Sequence, residues 1–346
     1  MRTPLAAQVA SNTCWRCVSA ASFGQWHAVW DDLNQRCANS PVLTAAMVAT
    51  SLEVFGSGDE VLMIAGPEQQ PVAMGVFERS RFGVWNSFQP SQAPLGLWLN
   101  DGSESLPQLL TLLMKALPGF TLRLGLTQLD PMHYPRPEDD AGLHSFDYID
   151  TARIDMSEGD FDSYWAARGK NLRQNMSKQS NRLQREGVAE QLQCVTAVDD
   201  IAAAVADYGM LESRSWKADK GTAVAPDNAQ GRFYTRLLQT YAATGQARIY
   251  RYWYDQSLVA CDLCIEQGGV LVILKTTFDE QHKKTSPAFL MRRAYFPSLF
   301  ADPRIRSVEF YGRVMEWHTK WSEDVRGIYH LNKDSSVLRI IKLMRN

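Results

Sequence analysis

The order of secondary structure elements most constrains the fold of this chain, because nearly the same order occurs twice. Hydrophobic spacing and turn residues predict the elements of each half. The first half contains helices at 25–38 and 41–54, strands at 60–65, 71–78 and 82–88, a helix at 105–117, and strands at 120–126 and 145–154. The second contains a strand at 191–195, helices at 198–214 and 228–243, strands at 247–254, 257–266 and 270–278, a helix at 287–300, a strand at 307–311, a short helix at 315–321 and a strand at 325–330.

This order indicates an α+β architecture, in which helices flank a mixed and mostly antiparallel sheet. The 346 residues accommodate two such units. We therefore predict two domains, 1–154 and 155–346, of which the second includes a basic helix at 161–187. The halves share the order of their elements and not a residue-by-residue repeat.

The composition is that of an ordinary globular protein. A hydrophobic fraction of 45% excludes a disordered chain, and a net charge of -2 argues against a dedicated nucleic-acid binder, although a local basic face remains possible. No stretch approaches the roughly 18 apolar residues of a spanning helix, and polar residues interrupt the N-terminal segment. We therefore expect a cytoplasmic protein.

The six cysteines include two C-x-x-C pairs, Cys14 with Cys17 and Cys261 with Cys264. The second pair falls in a predicted strand, where residues three apart point to opposite faces, so a shared zinc ion is not expected. Reduced and mostly buried thiols are the favoured interpretation. The six histidines show no metal-ligand spacing. No metal is expected, and the motifs of serine hydrolases, P-loop enzymes and dinucleotide-binding enzymes are absent.

The segment 161–187 is the most basic part of the chain. Its basic residues are Arg168, Lys170, Arg173, Lys178, Arg182 and Arg185. Two interpretations stay open: a solvated helix face, or a surface that meets an anionic substrate, a cofactor or RNA.

The segment 270–296 predicts a phosphate-binding site. A strand at 270–278 leads into a polar loop with Lys283 and Lys284, and a helix then starts with Ser286 as its cap. Free backbone N–H groups, the positive end of a helix dipole and two lysines meet at this point. Ala288 is small enough to let a pyrophosphate approach the backbone. The alternative is a capped helix with two surface lysines.

The corresponding connection of the first half, 89–105, contains no Lys or Arg and carries Asp101 and Glu104. Because a polyphosphate would be repelled there, we place the cofactor in the second half. The first half is assigned to scaffolding and substrate binding.

Three segments resemble a known family: ESRSWKADKG (212–221), LKTTFDEQHKKTSPAFL (274–290) and EFYGRVMEWHTKW (309–321). They are similar to the acetyltransferase-like CelD/BcsL family of the GNAT superfamily, which occurs in bacterial cellulose and exopolysaccharide gene clusters. The chain also resembles the Fem-type peptidoglycan transferases, which are tandem GNAT folds with a helical insertion. Ala288 stands where the first family commonly has Gly.

The resemblance implies two tandem GNAT-like domains and transfer of an acyl group from acyl-CoA, with acetyl-CoA as the expected donor, to an amine of a cell-envelope or exopolysaccharide precursor. The implied donor-binding residues are Lys283, Lys284, Thr285, Ser286, Ala288 and Phe289. Fem-type enzymes use aminoacyl-tRNA instead, and the basic helix would suit that donor. A catalytically silent binding module of a polysaccharide machine is the third hypothesis.

Acyl transfer needs a base for the nucleophile and an acid for the leaving thiolate. Glu212 is the candidate base, Asp279 a carboxylate that orients substrate, and Tyr311 the candidate acid. A salt-bridged acid, a turn cap and a packed tyrosine are the respective structural alternatives. The predicted substrate-binding residues are Trp216, Lys217, Lys320 and Trp321.

The C-terminal segment SSVLRIIKLMRN predicts a small amphipathic helix. Packing of this helix against the domain is the favoured interpretation. Contact with a membrane surface, with its basic residues towards the headgroups, is the alternative, and it would associate the protein peripherally with membrane biosynthetic machinery.

Overall fold

The computed structural model describes residues 13–140, 142–214 and 224–344. The α-helices are α1 (His27–Cys37), α2 (Ala45–Phe55), α3 (Leu106–Ala116), α4 (Phe161–Ala167), α5 (Lys170–Arg185), α6 (Val198–Ser213), α7 (Ala229–Ala242), α8 (Pro287–Ala301), α9 (Glu316–Thr319) and α10 (Ser336–Leu343). The strands are β1 (Trp15–Ser19), β2 (Val61–Ala65), β3 (Ala73–Arg81), β4 (Val84–Ser87), β5 (Trp98–Asn100), β6 (Arg123–Leu129), β7 (Leu143–Asp155), β8 (Glu190–Val195), β9 (Ala247–Tyr254), β10 (Ser257–Gln267), β11 (Val270–Phe278), β12 (Ser307–Glu309) and β13 (Asp324–Asp334).

The strands of the described residues form one mixed sheet with the order β1-β2-β3-β4-β6-β13-β7-β12-β11-β10-β9-β8, and β5 pairs with β3 beside this path. Most neighbours are antiparallel, whereas β4–β6 and β11–β12 are parallel. The last strand of each half pairs with strands of the other half, because β13 lies between β6 and β7, and β7 lies between β13 and β12. The predicted boundary at 154/155 falls in β7, and the two halves share one sheet.

Helices cover both faces of the sheet. On β11, Val272 packs into one hydrophobic cluster while Leu271 and Ile273 pack into another, as expected for side chains that alternate between faces. The first cluster contains α1 and α2 together with α6 and α7, so it crosses from one half to the other. On the opposite face, α3 covers the first half and α5 and α8 cover the second. Each fully buried Leu or Phe in these layers contributes roughly 1.5–3 kcal/mol to folding.

Two predicted helices differ from the structure. The helix predicted at 41–54 begins as a short 3-10 helix, Pro41–Leu43, and α2 itself starts after Thr44, whose hydroxyl accepts a hydrogen bond from the Met47 amide. Thr44 is therefore the cap of α2. The helix predicted over 161–187 is broken into α4 and α5 at 168–169, where the backbone of both residues is extended.

The cysteine prediction is partly wrong. Cys261 and Cys264 are fully buried and belong to clusters on opposite faces of the sheet. Cys14, Cys17 and Cys194 are exposed, so the thiols are not mostly buried. In the part of the chain that the structure describes, no group of three or more His, Cys, Asp or Glu side chains is arranged to hold a metal ion. Over the same residues, every helix is too short or too polar to cross a membrane.

Candidate functional site

On the side of β12, the central strand β11 is paired over only part of its length. Its parallel pairing with β12 joins Val270–Val272 to Ser307–Glu309 and ends there. Against β10, Lys275 lies opposite Leu263 and Ile273 lies opposite Cys264, so Leu274 is an extra residue in a β-bulge. A bulge leaves the extra residue unpaired and is common beside active sites. Backbone polar groups of β11 therefore lie at a gap between two parallel strands.

The start of α8 follows this gap. Asp279 follows β11 directly and caps a 3-10 helix at 280–285. Its carboxylate accepts a hydrogen bond from the Gln281 amide at 2.9 Å. Ser286 then adopts a left-handed backbone with φ 55° and caps α8 without a side-chain hydrogen bond. Strained residues of this kind cluster at functional sites. The amides of Phe289 and Leu290 both donate to the Ser286 carbonyl, which closes the first turn of α8.

The start of α5 meets the start of α8. Gly169 is the N-cap residue of α5 and has no side chain that could accept a capping hydrogen bond. Both helix starts border one cavity of about 490 Å³, which we name the α5–α8 cavity. Its walls are Arg168, Gly169, Asn171, Leu172, Asn175, Met176, Ser286, Phe289, Thr319, Lys320 and Glu323. Two helix N-termini direct the positive ends of their dipoles into the same space, which favours an anion.

Two cations and one acid border the α5–α8 cavity. Arg168 donates from Nη1 to the Trp321 carbonyl at 3.1 Å, while its buried Nε has no partner among the described residues. Lys320 forms an exposed ion pair with Glu316 at 3.0 Å, and Glu323 is the acid of the lining. Guanidinium and ammonium groups beside uncapped helix starts form the donor set that phosphate oxygens require. The cavity can therefore bind a phosphate or diphosphate group.

The residues predicted to bind the donor fall into two groups. Ser286 and Phe289 line the α5–α8 cavity, as does the predicted substrate residue Lys320. Lys283 and Lys284 are exposed on the preceding turn and lie outside the lining.

Two further predicted donor residues are buried. Thr285 accepts a hydrogen bond from the Tyr254 hydroxyl at 3.1 Å and donates to the His282 carbonyl, so its hydroxyl is used inside the protein. Ala288 is 7% exposed. The sequence analysis named Arg168 only among the basic residues that could meet an anion, and it did not single out Gly169, although an Arg-Gly pair at the start of a basic helix is a readable signal for this position.

Trp321 does not form the predicted stacking surface. Its side chain is fully buried, and its ring stacks on Phe289 with centroids 5.4 Å apart and lies 5.8 Å from Trp165. It supports Phe289 from behind and exposes no face to a sugar. Trp216 and Lys217 lie outside the described residues.

Glu212 lies fully buried near the end of α6. Its carboxylate accepts hydrogen bonds from the Tyr208 hydroxyl at 3.1 Å and the Val224 amide at 2.9 Å, and Lys275 of β11 lies 3.4 Å away. These contacts join α6 to the central strand and to the chain at Val224. The interactions match the salt-bridged alternative of the sequence interpretation, and the role of Glu212 as a base stays a prediction.

Tyr311 lies on the other face of the sheet from the α5–α8 cavity, in the cluster shared by both halves. Its backbone is left-handed, with φ 48°, and its hydroxyl donates to Asp130 at 3.0 Å. Together with Glu309, Arg326 and Arg153 these residues line a second cavity of about 290 Å³, which we name the seam cavity. Asp130 and Arg326 come from the two halves of the chain.

The titratable groups of the seam cavity have pKa values that are shifted in different directions. Burial raises the pKa of Glu309 to about 7, against the opposing charge of Arg326. Burial also disfavours the Asp130 carboxylate, but the hydrogen bonds and charge of Arg326 outweigh it and lower the pKa of Asp130. Burial and the Asp130 charge raise the pKa of Tyr311 well above its usual range, so this hydroxyl keeps its proton. Such separation of pKa values marks groups suited to proton transfer.

The three predicted catalytic residues therefore have three different surroundings. Glu212 joins structural elements, Asp279 caps a turn and lies 3.4 Å from His282, and Tyr311 borders a cavity. Asp130, Glu309 and Arg326 were not singled out from the sequence, because their proximity arises only from strand pairing between distant segments.

One family model matches the part of the chain that contains the gap between β11 and β12, the bulge at Leu274 and the start of α8. Residues 170–319 match the acetyltransferase (GNAT) domain family. The match begins with α5 and ends with α9, so it includes the gap between β11 and β12 and both helix starts that border the α5–α8 cavity. No curated protein matches the chain significantly.

Solved structures resemble the whole chain and not only the GNAT domain. FemX aligns with a TM-score of 0.60 at 8% identity, over 92% of this chain and 98% of its own. The C-terminal domain (DUF2156) of a putative lysylphosphatidylglycerol synthetase from Agrobacterium fabrum aligns with a TM-score of 0.58 at 14% identity, over 93% and 96%. A conserved protein of unknown function from Bacteroides thetaiotaomicron aligns with a TM-score of 0.56 at 9% identity, over 93% and 99%. The predicted fold class, an α+β protein with two GNAT-like halves, is confirmed.

Proposed function

We propose that the chain is an N-acyltransferase that moves an acyl group from acyl-CoA, with acetyl-CoA as the donor, to an amine of a cell-envelope or exopolysaccharide precursor. The observation that carries the proposal is the α5–α8 cavity, where two helix starts and two cations, Arg168 and Lys320, border one space at the two ends of the GNAT domain match, which covers residues 170–319. The resemblance to the CelD/BcsL family supports the class of acceptor.

The residues of the α5–α8 cavity suit the diphosphate of coenzyme A. We assign Arg168 and Lys320 to its oxygens, because they are the two cations that line the cavity. The bound thioester supplies the activated acyl group. Lys283 and Lys284 are not needed in this assignment.

The bulge at Leu274 supports a second role for β11. Its backbone groups at the gap can donate hydrogen bonds to a carbonyl oxygen that gains negative charge during acyl transfer. The gap lies between the two faces of the sheet, with the α5–α8 cavity on one face and the seam cavity on the other. We therefore assign the donor to the first face and the acceptor amine to the second.

Proton transfer is assigned to the seam cavity. Glu309, whose pKa of about 7 suits a base at neutral pH, is proposed to accept the proton of the amine. Tyr311 keeps its proton and is proposed to donate it to the coenzyme A thiolate that leaves as the acyl–sulfur bond breaks, which is the role predicted from the sequence. The expected result is that E309Q and Y311F lower kcat by at least about a hundredfold while acetyl-CoA affinity is unchanged.

Calorimetric titration with acetyl-CoA and longer acyl-CoAs tests the donor. We expect R168A to weaken binding at least about tenfold, because a charge-assisted hydrogen bond to phosphate is lost. The matched control is K283A/K284A, which removes two exposed cations outside the cavity lining and should leave affinity within about twofold. Absence of binding by every acyl-CoA would reject the proposal.

Aminoacyl-tRNA is the second candidate donor, and one observation favours it. The exposed face of α5 borders an open groove of about 920 Å³ whose walls include Arg173, Lys178 and Arg185. A row of cations on a groove of this size suits a nucleic-acid backbone. Binding of aminoacyl-tRNA that weakens with salt and with R173E, in a protein that does not bind acetyl-CoA, would favour this donor.

A further inference from the structure

The C-terminal helix α10 turns its apolar side away from the protein. Val337, Ile340, Ile341 and Met344 follow helical spacing, and their exposed fractions are 46%, 52%, 39% and 81%. The opposite side meets the body of the protein, where Lys342 binds the buried Asp334 carboxylate at 2.5 Å. A helix that packs only for stability buries its apolar stripe, so this orientation needs another partner.

Two exposed phenylalanines lie on the same edge of the sheet. Phe82, at the tip of the β3–β4 hairpin, is 82% exposed, and Phe120, before β6, is 56% exposed. Backbone hydrogen bonds join the three segments in series: the Leu122 amide donates to the Gly83 carbonyl at 2.7 Å, and the Ser335 amide donates to the Leu122 carbonyl at 2.8 Å. The segments that carry Phe82, Phe120 and α10 therefore lie side by side at one end of the sheet, and we name their exposed apolar residues the apolar edge.

Basic side chains lie beside the apolar edge. Arg79 and Arg81 flank Phe82 on the hairpin and are exposed, and Lys342 lies on α10. The nearest buried carboxylate, Asp334, is already paired with Arg123 and Lys342. Lys333 and Arg339 lie close enough to Asp140 to lower its pKa, after the larger effect of the Gly142 amide.

We propose that the apolar edge binds the surface of an anionic lipid bilayer. Phe82, Phe120 and the outward residues of α10 enter the boundary between headgroups and acyl chains, and Arg79 and Arg81 meet the lipid phosphates. Aromatic and aliphatic side chains beside exposed arginines match the two layers of an anionic bilayer surface, the acyl boundary and the phosphates. The inference stands independently of the proposed acyl transfer.

Co-sedimentation of the full chain with vesicles tests the proposal. We expect binding to vesicles of phosphatidylcholine mixed equally with phosphatidylglycerol, and at least about tenfold weaker binding to phosphatidylcholine alone. The combined variant F82S/I340S should lose at least about tenfold of its partition onto the anionic vesicles, because two inserting side chains are removed. R81E should weaken binding and make the remaining binding less sensitive to salt, because one ionic contact is lost.

The matched control is V198S/M210S, which removes two apolar side chains that are 37% and 56% exposed on α6. It should bind vesicles as the unchanged chain does. All four positions are exposed, so thermal unfolding should shift little in either variant. The proposal is overturned if the unchanged chain ignores anionic vesicles, if F82S/I340S binds them equally well, or if that variant only abolishes a dimer seen by sedimentation equilibrium.

Discussion

Arg326 on β13 holds Asp130 at the end of β6 by two parallel hydrogen bonds, Nε to Oδ1 at 2.8 Å and Nη2 to Oδ2 at 2.6 Å. The same Nη2 lies 2.9 Å from Glu309 of β12. The side chains of Asp130 and Arg326 are 1% and 10% exposed, so the pair is a buried contact between residues from the two halves. The guanidinium of Arg326 thus links strands from the two halves of the chain and also supplies positive charge to the seam cavity.

Removing this guanidinium should destabilise the fold strongly. R326A leaves Asp130 and Glu309 buried without their cation, and we expect a loss of roughly 3–5 kcal/mol in the free energy of unfolding. Urea denaturation measures it. The control R136A breaks an ion pair with Asp147 in which both side chains are exposed, and it should cost less than about 1 kcal/mol. Equal losses in the two variants would contradict a structural role for the seam pair.

Glu309 should make stability depend on pH. Its pKa is about 7 in the folded chain against 4.5 for an ordinary glutamate, so the folded state holds the proton more tightly. The resulting stabilisation is complete below about pH 4.5 and is lost as pH rises through 7, by roughly 3 kcal/mol in all.

E309Q should remove that dependence. The difference in unfolding free energy between the unchanged chain and E309Q should therefore move in favour of E309Q from pH 5 to pH 8, as urea denaturation at each pH would show. The exposed acid Glu316 provides the control, because E316Q should leave the pH dependence as it is. A constant difference would place the titration elsewhere.

Local patterns predict most elements of this fold but not their pairing. The strand-to-helix unit from β11 to α8 is readable because an apolar strand, a polar turn and Pro287 occur in sequence. The pairing of β13 with β6 and β7 of the other half could not be predicted, because the sequence of residues 324–334 does not indicate which strands lie beside them. The strands β1 and β5 were missed for two reasons: β5 has only three residues, and in β1 only Trp15 is buried, so neither strand gives a periodic apolar signal.

The candidate site divides in the same way. Ser286 was reachable from the helix-start pattern, Phe289 from the resemblance to a family, and Lys320 was among the predicted substrate-binding residues. The bulge at Leu274 is set by the register against β10, and Asp130 meets Arg326 across 196 positions of sequence. Such contacts depend on tertiary packing, so residue types and spacing alone do not reveal them.

The left-handed backbone of Ser286 leads to a further prediction. At φ 55° a residue with a Cβ is strained by about 1 kcal/mol, which glycine avoids. Because glycine also has more freedom when unfolded, S286G should raise the free energy of unfolding by no more than about 1 kcal/mol, whereas the branched S286V should lower it by more than about 1 kcal/mol. Thermal denaturation distinguishes the two signs. A stabilising S286V would show that the backbone is not held in this region.

Trp321 separates packing from donor binding. Its ring is fully buried behind Phe289, so W321F should lose roughly 1–3 kcal/mol of unfolding free energy to the space it leaves. Its affinity for acetyl-CoA should nevertheless stay within about threefold of the unchanged chain, because the lost atoms do not border the α5–α8 cavity. The comparison variant R168A should show the reverse, with weaker binding and a smaller loss of stability. If W321F abolished binding in a protein that stays folded, the ring would have to reach the donor, and the division between the core and the cavity drawn at Phe289 would be wrong.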